Sequence, residues 1–316
     1  MHHPRRAAAA AAAQIFSALL VLGGCATQQA SALLAHRPAQ LPDFVELASV
    51  PFFPQEEQQC GPAALATVLA YAGVATTPEA LAEQVYDPER EASLQAEMAA
   101  ATRRHGLIAY PLAPRLQDLL REIWDGNPVV VLENLSLPIH PDWRYAVVVG
   151  YDLPTKAVLL RSGRSFRMKM ALDDFERSWA RSGYWALLAV PPDQLPATAD
   201  ADRYAAAAIA LERVSPAAAR RAYATALERW PHDLRARLGL GNTAYAAGDL
   251  PAAEAAYRSA VRDHPDAADA WNNLARTLHR LHRKDEALGA AERAVALGGP
   301  RQARYRETLR TIIRGD

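Results

Sequence analysis

Gln55-Glu56-Glu57-Gln58-Gln59-Cys60-Gly61-Pro62-Ala63-Ala64-Leu65 is a polar loop that ends on a single cysteine, and the cysteine opens an apolar segment. Pro62 suits a first helical turn, and Leu65, Val68 and Leu69 recur at helical spacing, which predicts a helix from about Pro62 to Tyr71. The unpaired N–H groups and positive dipole end of such a helix favour a thiolate over a thiol at Cys60. Gly61 lets backbone or a ligand come close. Gln55, on the loop before, can aim its side-chain amide at an oxyanion forming near the sulfur. The structural alternative is a small buried cysteine capping a core helix.

Outward from this stretch, Phe44 to Phe53 reads as one or two short strands ended by Pro54. Thr77 is suited to cap a second helix with Pro78 in its first turn. A third helix is expected from about Ser93 to His105, stopped by Gly106, and a fourth over Leu116 to Trp124. Asp125-Gly126-Asn127-Pro128 turns the chain into an apolar strand at Val129 to Leu132. The loop from Glu133 to Asp142 carries His140, and the strand from Trp143 to Tyr151 is apolar enough to be buried on both faces. A hairpin about Ser162-Gly163, a short helix from Asp173 to Ala180 and a closing strand from Tyr184 to Val190 follow. Helices first and strands later fit an α+β domain.

Val50-Pro51-Phe52-Phe53-Pro54-Gln55, Cys60-Gly61-Pro62-Ala63-Ala64-Leu65 and Tyr145-Ala146-Val147-Val148-Val149-Gly150-Tyr151-Asp152 together resemble the bacteriocin-processing (double-glycine leader) cysteine peptidase family, over roughly residues 44 to 190. The resemblance implies a papain-like fold, Cys60 as nucleophile, a histidine just before Tyr145 as base, and an acid or amide on the next strand to orient it; in an active site of this kind Gln55 and the Cys60 N–H would steady the oxyanion. The base position holds Arg144, and the next strand reads Leu160-Arg161-Ser162-Gly163, without Asp or Asn. A guanidinium stays protonated, so Arg144 can steady a thiolate or grip a substrate carboxylate but cannot shuttle a proton. His140 is the remaining candidate for the base. Four residues upstream, it stands about 13 Å away along an extended chain unless the loop folds back, and a surface loop histidine is the alternative. His105 reads as a helix-end residue and Asp152 as a turn former.

The N-terminus predicts export. His2, His3, Arg5 and Arg6 precede an apolar run from Ala7 to Leu22, shorter than the ~20 residues of a membrane span. Leu22-Gly23-Gly24-Cys25 resembles a bacterial lipobox, which implies lipidation of Cys25 and, with Ala26 next, the periplasmic face of the outer membrane. Residues 27 to 43 lack clear periodicity and read as a tether.

From Asp200 the chain repeats. Trp230-Pro231 and His264-Pro265 place prolines 34 residues apart, the tetratricopeptide period. Leu240, Gly241, Ala253, Tyr257 and Ala260 pack one unit, Trp271, Leu274, Ala287 and Ala294 the next, and Ala219, Tyr223 and Ala226 a degenerate first unit. Pro300 to Ile313 caps the stack. Asn242, Tyr245, Asn272, Asn273 and Arg276 are candidates for its concave surface, with ordinary solvated helix faces as the alternative.

With 35 basic and 35 acidic residues in 316, nucleic acid is not the expected partner. The nine histidines are scattered, no His-Glu-x-x-His helix occurs, and no Gly-rich phosphate loop precedes a helix, so neither metal nor cofactor is expected. The expected organisation is a signal peptide and lipobox at 1–25, a tether at 26–43, an α+β papain-like cysteine peptidase domain at 44–192, and an all-α tetratricopeptide array at 200–316. The expected function is that of a membrane-anchored periplasmic cysteine peptidase, the repeats presenting a polypeptide. Its alternative is a catalytically impaired pseudo-peptidase that binds or scaffolds peptides, and acyl transfer of the amidase or transglutaminase type would need the same missing base.

Overall fold

The computed structural model describes residues 28–54, 59–87, 89, 92–137 and 139–315. The chain divides into two compact units: residues up to 94 with 112–188, and residues 95–111 with those from 189 onward.

In the first unit, α1 (Gln28–Ala35) and β1 (Phe44–Glu46) precede α2 (Cys60–Tyr71) and α3 (Pro78–Val85). Helix α2 begins two residues before Pro62, so Cys60 is itself its first residue. Its Gly61 to Leu69 are all buried, because a run of Ala, Leu and Val offers no polar face. Thr77 caps α3 as expected, its Oγ1 accepting from Ala80 N at 3.3 Å with Pro78 in the first turn. A two-stranded hairpin, β2 (Tyr86–Asp87) with β3 (Ala92–Ser93), follows. Ser93 therefore lies in a strand rather than at the start of the next helix.

Helix α4 (Gln95–Arg104) and β4 (Ile108–Pro111) lead to α5 (Leu116–Trp124), which matches its predicted span. The main sheet is antiparallel. Strands β5 (Val129–Asn134), β6 (Trp143–Asp152), β7 (Ala157–Ser162) and β8 (Ser165–Ala171) pair in chain order, and β9 (Ala186–Val190), reached through α6 (Leu172–Ala180), returns beside β5. Tyr145 to Tyr151 are buried without interruption, which requires cover on both faces of β6. Strand β1 continues the β5 side of β6 beyond Val148, its Glu46 opposite Gly150. A Cβ at Gly150 would lie 2.5 Å from the Val45 carbonyl, which is why glycine stands there. Gly163, at φ +57°, makes the β7–β8 turn.

The expected tether is corrected over its described part. Residues Gln28–Ala35 are helical, with Ala30 and Leu33 buried. The buried Glu176 carboxylate accepts from Gln29 N at 3.0 Å and Ala30 N at 2.7 Å, capping α1 from α6. Gln29 also accepts from Leu116 N at 2.7 Å and donates to the Pro114 carbonyl at 3.2 Å. A short polar composition hid these contacts because the partners are up to 147 residues away in the chain.

In the second unit, β4, an edge strand of the main sheet beside β9, packs with α7 (Ala201–Glu212). Helices α8 (Pro216–Arg229), α9 (Leu234–Ala246), α10 (Leu250–Asp263), α11 (Ala268–Arg280), α12 (Lys284–Leu297) and α13 (Gln302–Arg314) complete three helix pairs and a cap. Asp200, Asp233 and Asp249 cap α7, α9 and α10 through hydrogen bonds to the N–H three residues on. Alanine packing at 253, 260, 287, 290 and 291 lets the helices approach, and Tyr257, Leu274 and Leu278 fill the core between them. Among the described residues, no helix is long and apolar enough to cross a membrane.

Candidate functional site

Cys60 is a free, half-buried thiol at the first residue of α2. Helix α2 packs on β6, and this brings Cys60 beside the Arg144-Tyr145 pair predicted from sequence. Burial pushes the Cys60 thiol above its ordinary range. Against it work the backbone N–H groups of Tyr145 and Gly61, the positive charge of Arg144, and the N–H of Cys60 itself. Burial outweighs them and favours the thiol over the thiolate, and what surrounds the sulfur is a set of donors aimed where negative charge would develop.

The walls of the site come from three elements. Tyr145 is buried, its ring edge-on to Trp185 with centroids 5.6 Å apart, and its hydroxyl donates to the Ser93 carbonyl at 3.0 Å. Ser93, on β3, also closes over Gly61, leaving no room for a side chain there. Its Oγ is buried without a hydrogen-bond partner among the described residues. Arg144 is partly exposed, with Nε 3.5 Å from Asp142 Oδ1, and its guanidinium reaches toward Gly163 at the β7–β8 turn. The cation thus lies near both Cys60 and the turn that follows β7.

His140 is exposed in the β5–β6 connection, with its backbone N–H on the Leu137 carbonyl at 3.0 Å. The hairpin stays zipped up to Leu135 N and Asp142 O at 2.9 Å, and Asn134 Oδ1 accepts from Ser136 N and Asp142 N at 3.0 Å each. These bonds close the strand ends below the connection, and His140 lies exposed within it. Gln55 and Cys25 lie outside the described residues. Asp152 forms the expected turn, accepting from Thr155 N at 3.1 Å and from Lys169 Nζ at 3.1 Å. Among the described residues, no group of three or more His, Cys, Asp or Glu side chains is placed to hold a metal ion.

Residues 47–187 match the Peptidase_C39 like family, and residues 204–262 and 240–303 match the tetratricopeptide repeat family. The chain carries a C39-peptidase-like domain and tetratricopeptide repeats. Among solved structures it is similar to a C39-like peptidase from Bacillus anthracis, at 20% identity and TM-score 0.41 over 47% of this chain and 98% of that one. A second is a double glycine motif protease from an AMS/PCAT transporter in complex with the leader peptide, at 22% identity and TM-score 0.33 over 45% of this chain and 91% of that one. No curated protein matches the chain.

Two features of the C39-like domain were not legible in the chain. Arg161, read from sequence only as the lack of an acid, is fully buried; it donates to the Phe166 carbonyl at 2.6 Å and to the Val50 carbonyl at 3.4 Å, and its guanidinium stacks 3.9 Å from the Phe166 ring centroid. It ties the segment entering the cysteine loop to β8. Phe52 meets Phe166 edge-on at 5.9 Å and closes the same corner. Glu133, buried at the end of β5, accepts from Ser178 Oγ at 2.6 Å, and burial pushes its carboxyl up to about 7.

Proposed function

We propose that the C39-like domain recognises polypeptide at the site beside Cys60 without cleaving it, and that the repeats hold the same or a second polypeptide. The supporting observation is the occupancy of the base position by Arg144, beside the half-buried Cys60. Peptide hydrolysis needs a group that accepts the thiol proton and returns one to the leaving amine; a guanidinium does neither at working pH. The backbone N–H groups of Tyr145, Gly61 and Cys60 together with the Arg144 cation suit a ligand carbonyl or carboxylate near the sulfur. The apolar run from Ala7 to Leu22 and the likeness of Leu22-Gly23-Gly24-Cys25 to a lipobox support a lipid anchor on the periplasmic face of the outer membrane.

The test compares the native protein, Arg144→His and Cys60→Ser on a mixture of unstructured peptides analysed by mass spectrometry. Retention of intact peptide without cleavage by the native protein is expected. Cleavage by the native protein that disappears in Cys60→Ser would sink the reading and restore the peptidase. Cleavage that appears only in Arg144→His would identify Arg144 as the point at which hydrolysis was lost. Lipidation is read separately, as the mass of the N-terminal fragment of protein recovered from membranes.

A further inference from the structure

Several arginines of the repeats are paired with carboxylates. Arg237 sits 3.2 Å from Asp263, Arg258 2.7 Å from Glu254 and from Glu286, Arg283 2.7 Å from Glu286, Arg301 2.5 Å from Asp269, and Arg310 2.8 Å from Glu307. Three guanidiniums with no such partner among the described residues converge on one place. Arg276 and Arg280 on α11 and Arg304 on α13 line a cavity of about 230 Å³ between α9, α11 and α13. None of the three has a carboxylate within salt-bridge distance among the described residues. Tyr245, from α9, supplies the opposite wall, with Arg276 5.1 Å and Arg280 4.8 Å from its ring centroid. His279, Thr308, Thr311 and the buried Ile312 also line it.

Stacking on Tyr245 holds the two α11 guanidiniums in place while leaving their N–H edges free to donate. Three like charges gathered with no carboxylate in salt-bridge distance repel one another, in a protein whose overall charge is balanced. An anion in the cavity reverses the sign of that interaction. The only carboxylate on the lining, Glu307, is already engaged by Arg310.

We infer that this cavity binds the carboxylates of an acidic polypeptide segment. The inference deepens the proposed role of the repeats as a polypeptide-holding surface and rests on it. The planar fork of arginine matches a carboxylate with two parallel hydrogen bonds, and the cavity offers three such forks over an aromatic and aliphatic floor. A polypeptide rather than a membrane surface is favoured because the charges lie within a concavity walled by three helices. The polar strip leading from it also fits an extended chain: Asn273 Nδ2 donates to Asn242 Oδ1 at 3.1 Å, and both residues lie on the same helices as Tyr245 and Arg276.

The test measures fluorescence anisotropy of a labelled decapeptide of Glu and Asp with the full chain in detergent. Its Gln and Asn counterpart, inorganic phosphate and phosphatidylglycerol vesicles serve as competitors. Saturable binding of the acidic peptide that weakens at least tenfold in Arg276→Gln/Arg280→Gln and in Arg304→Gln, but not in Arg293→Gln on α12, is the expected result. Binding should also fall steeply between low and high salt. Equal binding by all variants would overturn the inference, as would displacement by phosphate at the concentration that displaces peptide, or Arg-dependent binding to vesicles with none to peptide. Protection of Cys60 from iodoacetamide is read in parallel with the uncharged peptide. Protection without an effect of the arginine variants leaves the proposed site beside Cys60 standing and removes the cavity; arginine-dependent binding without protection does the reverse.

Discussion

Gly61 and Ser93 touch so closely that a Cβ on Gly61 would overlap Ser93 Oγ, come within 2.5 Å of Ser93 Cβ, and lie 3.4 Å from Tyr145 Cδ2. The residue after the cysteine is thus glycine because the β2–β3 hairpin is laid across the start of α2. Gly61→Ala should displace that hairpin and cost about 1–3 kcal/mol, the usual range for overpacking. Thermal unfolding measures the loss. The rate of Cys60 alkylation should rise in the same variant, since the cover over the thiol is lifted; an unchanged rate and midpoint would show that Ser93 yields freely.

The balance at Cys60 is between burial and surrounding positive charge. Arg144 favours the thiolate, so Arg144→Ala should move the midpoint of the alkylation-pH profile further upward from the native position and slow alkylation at pH 8. The native midpoint should itself lie above that of a free cysteine, because burial dominates. A native midpoint well below the free-thiol value would mean the sulfur is activated after all.

Glu133 carries a pH signature of its own. Its folded-state pKa of about 7 stands above an ordinary value of 4.5, so between these the native state binds the extra proton. The associated stability is fully present below about 4.5 and is lost as pH rises through 7, to a total of about 3 kcal/mol at 1.36 kcal/mol per unit. Glu133→Gln keeps an acceptor for the Ser178 hydroxyl and removes the titration. Urea unfolding at pH 5 and pH 8 should show a smaller fall in stability across that interval in the variant than in the native protein.

Two helical glycines in the repeats should respond to alanine with opposite signs. A Cβ at Gly241 would lie 2.5 Å from the Tyr257 ring, which is buried and held through its hydroxyl by Asn242 at 2.7 Å. Gly289 has nothing within 4 Å of the same position. Gly289→Ala should stabilise by up to about 1 kcal/mol through helix propensity. Gly241→Ala should lose that gain and more to the clash, giving a net loss of about 1–2 kcal/mol by thermal unfolding.

Much of this was legible in the chain because it is local. Helix α5 follows from the spacing of Leu116, Leu119, Leu120 and Ile123, all buried, and the cap at Thr77 from a Thr-Pro-Glu start. The repeat period came from prolines at 231 and 265, and Tyr223 and Tyr257 keep the same register. Cys60 and Arg144 were singled out by their neighbours in sequence, and the packing of α2 on β6 brings them together. The helical character of residues 28–35 was missed, since a helix this short is set by tertiary contact with Glu176 and not by its own propensity.

The sequence by itself determined the kinds of elements, their order, the family likeness around Cys60 and the identity of the residue at the base position, all of which depend on periodicity and on chemistry carried by near neighbours. Tertiary structure alone decided that burial outweighs the donors around the thiol, that Ser93 covers Gly61, that Arg161 ties Val50 to Phe166, and that three arginines on two helices share one cavity. Burial and charge pairing are properties of surfaces brought together from distant parts of the chain, and no pattern within a few residues records them.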